Sequence, residues 1–360
     1  MDADALIVGA GPAGATTALN LAPYRRVILL DRRAVPEARI GESMPGAVHR
    51  LLRDMGLWDS FRGDGHAPCH GHRSIWGGPD ITERDALRDP DGHGWLLDRA
   101  RFERRLRATA AARGAMLLSP AQPLALEQEA DGWRVVVDLA GEMVVVRART
   151  IVDAGGRQSR LLRRFGVRRR TESRLVCRWI GCDGMRFPAG LTHVEAEADG
   201  WWYAARLPQG GSILAFHTDA DLPAARAARS AATLLARART LPLLGRSVSV
   251  DVPPAPIKGF CPAAGTILDE PVGAGWIAVG DAAISFDPLA SQGLFNTLYT
   301  GLAGAEAIHR HLAGDTQAFA EYAGDLRRIH AAYIAHLASW YGIERRWPES
   351  AFWRRRHISG

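Results

Sequence analysis

Short apolar runs separated by small-residue and polar stretches open the chain. Residues 5–8 read as a buried strand, 15–22 as a helix of small residues and 27–30 as a second strand that ends at Asp31. Residues 131–137 and 143–147 alternate as a hairpin that turns around Gly141. Between 174 and 260 the pattern predicts strands at 175–180, 192–198, 201–207 and 212–218. Within 192–198, His193, Glu195 and Glu197 fall on one face and Val194 and Ala196 on the other, which predicts an antiparallel sheet with one solvated side. A helix over 224–239 is expected outside that sheet. A buried strand at 275–279 and a helix over 294–312 follow. Phe319, Tyr322, Leu326, Ile329 and Tyr333 then stand at helical spacing in the segment 317–358, which is expected to pack on the first domain or cover a pocket.

The link between the first strand and the first helix is Gly9-Ala10-Gly11-Pro12-Ala13-Gly14. Gly9 permits a tight turn, Gly11 lets backbone approach a pyrophosphate, and Gly14 lets the helix pack on the strand. The helix start, with Ala13, offers N–H groups to phosphates. Asp31, 22 residues after Gly9, is placed to accept from ribose hydroxyls. A plain glycine turn would need no acid after the second strand, so the unit predicts a dinucleotide site. At the other end, Gly280-Asp281-Ala282-Ala283 follows the strand at 275–279, and residues 286–293 lead into the last long helix. Signals at both ends describe one long cofactor.

These segments resemble the FAD-binding fold of the aromatic hydroxylase, flavin halogenase and geranylgeranyl reductase superfamily. The resemblance implies that Gly9, Gly11, Ala13, Gly14, Asp31 and Arg32 serve FAD, and that Asp281 contacts its ribityl or pyrophosphate part. Pro288, Gly293 and Leu294 would lie under the pyrimidine edge, where a helix N-terminus stabilises the anionic reduced flavin. Arg39-Ile40-Gly41-Glu42-Ser43 is similar to a G-E-S segment near the isoalloxazine ring, which makes Arg39 and Ser43 cofactor candidates. Asp98-Arg99-Ala100-Arg101-Phe102 is similar to a D-R-x-x-F helix start whose arginine, Arg99, reaches the cofactor. Asp153-Ala154-Gly155 with Ser159 is similar to the turn that closes the FAD domain. Residues 65–77, 200–208 and 216–222 narrow the likeness to short tryptophan-halogenase-like flavoproteins, among them maturases of tryptophylquinone-dependent amino-acid oxidases. The expected architecture is α/β: a discontinuous Rossmann-like FAD-binding domain (1–173 and 261–315), an antiparallel-sheet substrate domain (174–260) and a C-terminal helical segment (316–360).

Composition sharpens the chemistry. The 360 residues carry 45 Lys plus Arg against 39 Asp plus Glu, a formal charge of +6, yet Lys258 is the only lysine. True flavin halogenases carry a lysine after G-E-S, and this chain has none there. It also reads Trp201-Trp202-Tyr203-Ala204-Ala205-Arg206-Leu207-Pro208 where those enzymes have W-x-W-x-I-P. The arginines are spread and interleaved with acids, which favours a solvated surface over nucleic-acid binding. Cys69, Cys177, Cys182 and Cys261 form no C-x-x-C pair and fit no disulfide framework or zinc ribbon. With no apolar run long enough to span a bilayer and no basic signal-peptide start, a reducing cytoplasm and no membrane are expected.

A flavin so held is expected, by the resemblance, to activate oxygen as a C4a-hydroperoxide and hydroxylate an electron-rich ring, with the protein orienting substrate and excluding water. His66, His70, His72 and His217 are candidate acid–base residues because imidazole titrates near neutrality. Trp202, with Trp76, Trp95, Trp201 and Tyr203, is a candidate pocket aromatic, and alternate members of 201–203 are expected to fill the interface and to face substrate. His66, His70, His72 and Cys69 invite a zinc reading that no helix supports, so no metal is expected. One glycine fingerprint leaves the reductant open between NAD(P)H and a partner flavin reductase; Arg32 and Arg33 suit a 2'-phosphate or FAD phosphates equally. The expected substrate is an aromatic small molecule or a tryptophan of a precursor protein. The alternatives are an FAD oxidoreductase that inserts no oxygen, a maturation factor acting chiefly by binding a precursor oxidase, and a halogenase lacking the usual lysine.

Overall fold

The computed structural model describes residues 1–37, 39–248 and 258–358. Its nucleotide half is built on a parallel sheet in which Asp2–Val8 lies between Val27–Leu30 and Glu142–Asp153, with Met116–Leu118 and Trp276–Ala278 as the next strands out. The central strands are apolar and buried toward their C-terminal ends, where Leu6 and Ile7 lie beside Ile151 and Val152. Val27–Leu30 is buried at every position. The hairpin Ala121–Glu129 and Gly132–Leu139 extends from the long strand Glu142–Asp153. Helices Pro12–Leu21 and Gly293–Leu312 pack against each other at the first strand's C-terminal end. They meet closely because Gly301 has no side chain: a Cβ there would lie 2.7 Å from Ala13 O.

The second half is a sheet of seven described strands in the order Gly259–Pro262, Leu175–Cys182, Ser212–Asp219, Gly200–Arg206, Leu191–Glu197, Gly71–Ile75, Thr82–Asp85. Its centre falls within the predicted segment 174–260, of which 249–257 lie outside the described residues. Two of its strands come from residues 71–85. Gly71–Ile75 adds parallel to Leu191–Glu197, a pairing between distant segments that local periodicity does not reveal.

The solvated face expected for 192–198 is covered. Helices Pro223–Ala227 and Ala231–Arg239 and the turn Leu244–Ser247 lie over it. Glu195 is buried because its carboxylate accepts from the backbone N–H groups of Leu243 and Leu244 at 3.2 and 2.9 Å, and Glu197 accepts from Arg237 at 2.9 Å. Polar residues on a strand signalled water; here they serve as partners for the covering layer. The helix expected over 224–239 is two helices, the second capped by Ser230, whose Oγ accepts from Thr233 N–H.

The C-terminal segment forms Ala318–Ile343 and Ala351–Ile358. Phe319, Tyr322, Leu326 and Tyr333 are buried against the nucleotide half, while Phe352 and Trp353 are buried under the sheet. It spans both halves.

Candidate active site

The two glycine signals meet. Gly280 adopts φ +58°, and a Cβ there would lie 2.5 Å from that of Ala13. Gly9, at φ +109°, and Gly14 are crowded by backbone, whereas a Cβ on Gly11 or Gly293 would have no atom within 4 Å. Crowding at the packing glycines and open space at Gly11 and Gly293 is the pattern a cradle for a bound cofactor requires. Gln292 caps the helix Gly293–Leu312 without a side-chain bond, so its first N–H groups are free to face an anion.

Around that cradle the acids are held in place. Asp31 accepts from Ala10 N–H and Arg33 N–H, both at 2.8 Å, and pairs with Arg107 at 2.9 Å. Arg107 is buried and also donates to Ala10 O at 2.8 Å, so it braces the glycine turn from behind. Arg32 is exposed beside it. Asp153, buried, accepts from Gly155 N–H at 3.0 Å and Ser159 Oγ at 2.7 Å, which shapes the closing turn. Burial pushes its carboxyl up. Asp281 keeps a third of its side chain exposed, with Arg157 Nε 3.8 Å away. Arg157 also donates to Ala264 O and Phe286 O, tying that turn to the loop that contains Pro288.

Arg39 and Arg99 converge on Glu103, which is fully buried, at 3.3 and 2.7 Å. Arg99 reaches back to the carbonyls of Ile40 and Gly41. Ser43 continues from that loop in a short strand paired with Leu96. Leu294, half-buried, begins the last long helix. Glu103, Arg107 and Arg157 were not singled out from sequence. The i,i+4 spacing of Arg99 and Glu103 was the available signal for the first.

One face of the sheet meets these loops. Trp179, Trp201, Tyr203, Cys177 and Val194 pack with Ile40 and with Leu289 of the 286–293 loop. Trp202 points the other way, into the core under the covering helices, with no exposed surface. It fills neither the flavin interface nor a substrate pocket, because the face predicted to be open is a third packed layer. His217 lies on the loop-facing side but is buried and stacked on Trp201 at 3.7 Å, and burial holds its imidazole down to about 3. His66 sits between Phe61 and Phe102 in the nucleotide half, accepting from Asp98 N–H at 3.2 Å. His72 is exposed and bonded to Thr192, its register partner. The histidines named from sequence are thus dispersed, and among the described residues no group of three or more His, Cys, Asp or Glu could hold a metal.

The FAD binding domain family model matches residues 2–240. The chain belongs to that family. This flavoprotein is an FAD-dependent oxidoreductase, and the residues around its cradle fit the cofactor. It is 31% identical, over 98% of its length and 96% of the relative's, to the FAD-dependent oxidoreductase LodB of Marinomonas mediterranea. It is 28% identical to digeranylgeranylglycerophospholipid reductase 1 of Methanopyrus kandleri, over 88% of this chain and 84% of that protein. Its fold matches the myxobacterial chondrochloren halogenase CndH with a TM-score of 0.87 at 27% identity, covering 99% of this flavoprotein and 86% of the halogenase. The peptidyl tryptophan dihydroxylase QhpG shares the fold, with a TM-score of 0.78 at 24% identity over 99% and 79% of the two chains. Among the described residues no helix of the flavoprotein is long and apolar enough to cross a membrane.

Proposed function

We propose that the protein is an FAD-dependent monooxygenase that hydroxylates an indole-type ring, a tryptophan side chain of a partner protein during quinone cofactor biogenesis. The observation that carries this reading is the aromatic floor of Trp179, Trp201 and Tyr203, which faces the loops of the cofactor cradle. No lysine stands in the loop after Glu42 and Ser43, and Lys258 is exposed at the edge strand beside Gly181. That weighs against halogenation. The name of one fold neighbour, a peptidyl tryptophan dihydroxylase, agrees with a tryptophan substrate.

Bound FAD supplies two-electron reduction and oxygen activation. The chain's own part is binding and exclusion of water. Arg39 and Arg99, fixed by Glu103, would hold the cofactor side of the pocket, and the Asp281 carboxylate and the free N–H groups after Gln292 would hold its polar edge. The aromatic floor orients the ring. Of His66, His72 and His217, only His72 is exposed, on Gly71–Ile75, the second strand from the sheet edge, beside Thr192. Electrons would come from NAD(P)H directly or through a partner flavin reductase; oxidation of NADH or NADPH by the purified holoenzyme alone distinguishes the two.

The test is mass spectrometry of a tryptophan-containing precursor peptide after turnover under ¹⁸O₂. Label in the indole ring is the expected result. An unlabelled, reduced or dehydrogenated product would replace the reading with an oxidoreductase that inserts no oxygen, and a halogenated ring formed in the presence of halide would replace it with halogenation.

A further inference from the structure

Among the buried polar atoms without a close hydrogen bond, Glu42 Oε1 and Tyr203 Oη lie together under the sheet. Glu42 is buried, and its surroundings fix it tightly. Leu97 N–H donates to its carbonyl at 2.9 Å, and Gly41 N–H donates to Oε2 at 2.9 Å. Arg99 grips the carbonyls just before it. Yet Oε1, also buried, has no hydrogen-bond partner. On the central strand Gly200–Arg206, the buried Oη of Tyr203 makes no close hydrogen bond, and the group its O–H faces is the Glu42 carboxylate.

The two groups are neighbours. Burial first, and then the Glu42 carboxylate, push the Tyr203 phenol up, and burial pushes the Glu42 carboxyl up. What surrounds Tyr203 is apolar: Ile40, Cys69, Trp179 and Leu96 share its cluster. Buried acceptors in such a wall are costly to leave open, and native structures rarely retain them without a use. Glu42 lies on the loop whose next residue, Ser43, leads into the short strand paired with Leu96.

We propose that Glu42 Oε1 and Tyr203 Oη form a subsite that receives the ring N–H of a heteroaromatic substrate. Oε1 accepts the N–H, and Tyr203 holds the carboxylate's orientation through its own O–H. Trp179 supplies an apolar surface for the ring, so the nitrogen is anchored and the ring carbons face the cradle. This rests on the reading of the substrate as indole-type, and it adds which atom of the ring is read and by which residues.

The experiment titrates the FAD-loaded protein with indole and with benzofuran, which differ only by N–H against O, and reads binding by calorimetry. A polar subsite built for an N–H rejects the analogue that lacks it, so indole should bind at least about tenfold more tightly. Glu42→Met and Tyr203→Phe should each bring that ratio below about threefold, with flavin content and melting temperature retained. The Tyr203→Phe protein carries the test should Glu42→Met not fold. Equal binding of the two rings to the wild type would overturn the subsite and spare the indole reading. A ratio unchanged in the variants would also overturn it. Binding of neither ring would remove both.

Discussion

Tyr341 Oη donates to Asp287 Oδ2 at 2.8 Å and accepts from Trp201 Nε1 at 3.2 Å. Three parts of the chain thereby meet at one buried phenol: the helix Ala318–Ile343, the loop before Pro288 and the floor of the sheet. Asp287 in turn caps its loop by accepting from Leu289 N–H at 3.0 Å, and its own N–H donates to Tyr333 Oη at 2.9 Å. Burial pushes both the Asp287 carboxyl and the Tyr341 phenol up.

Tyr341→Phe leaves a buried carboxylate oxygen and an indole N–H without their shared partner. The expected loss is about 1–3 kcal/mol of stability, read from urea denaturation of the holoprotein. FAD should also bind more weakly, since the loop it braces borders the cradle. Unchanged stability together with unchanged flavin retention would show that the helix Ala318–Ile343 does not support the site.

Gly11 and Gly14 separate binding from folding. A Cβ on Gly14 would run into the carbonyl of Gly9, so Gly14→Ala should fail to fold or lose the glycine turn. A Cβ on Gly11 meets only open space, so Gly11→Ala should keep the apoprotein's melting temperature and lose FAD affinity by about tenfold or more, because the methyl group occupies the pyrophosphate's approach. Equal FAD affinity in Gly11→Ala would place the phosphates elsewhere.

Glu103→Gln leaves the guanidiniums of Arg39 and Arg99 without their buried counter-charge. Breaking such a buried pair costs about 3–5 kcal/mol, and here Arg99 would also relax its hold on residues 40 and 41. Reduced stability with weakened flavin binding is expected. Glu103→Asp, which keeps the charge, should recover part of both.

His217 contributes a defined pH dependence. Its imidazole is held down to about 3 in the fold against an ordinary value near 6.5, so between those values the unfolded chain binds the proton and the folded one does not. Its contribution is complete above 6.5 and is lost as pH falls toward 3, at about 1.4 kcal/mol per pH unit. Buried acids held high, such as Glu42 and Asp287, slope the other way, so the measurement is a comparison with His217→Phe, which keeps a ring against Trp201. Stability measured by denaturation at pH 6.5, 5.5 and 4.5 should fall less steeply in the variant. Parallel slopes would mean that His217 is charged in the fold.

Most of the nucleotide half was legible because its signals are local. The turn from Gly9 to Gly14 needs glycines for contacts made within a few residues, and Asp31 closes the unit one strand later. The central strands of the sheet were legible too, from apolar alternation and turns. What misled was polarity: Glu195 and Glu197 looked like a wet face, yet they bind Leu243, Leu244 and Arg237 of a layer that folds over them. Trp202 looked like a pocket residue for the same reason, since the covering layer that buries it is not written in its own strand.

Residue order alone thus determined a dinucleotide-binding α/β protein with an aromatic strand, because glycine geometry and strand period are properties of short segments. That the dinucleotide is a flavin, and that a halogenase lysine is missing after Ser43, came from the resemblance of its motifs to a known superfamily. Tertiary structure decided which groups share a site: Glu103 beneath Arg39 and Arg99, Asp287 beneath Tyr341, and Glu42 opposite Tyr203. Each pair joins residues whose proximity comes only from packing, and in a buried, low-dielectric setting that proximity sets whether a charge or a hydroxyl is satisfied, shifted or left open for a ligand.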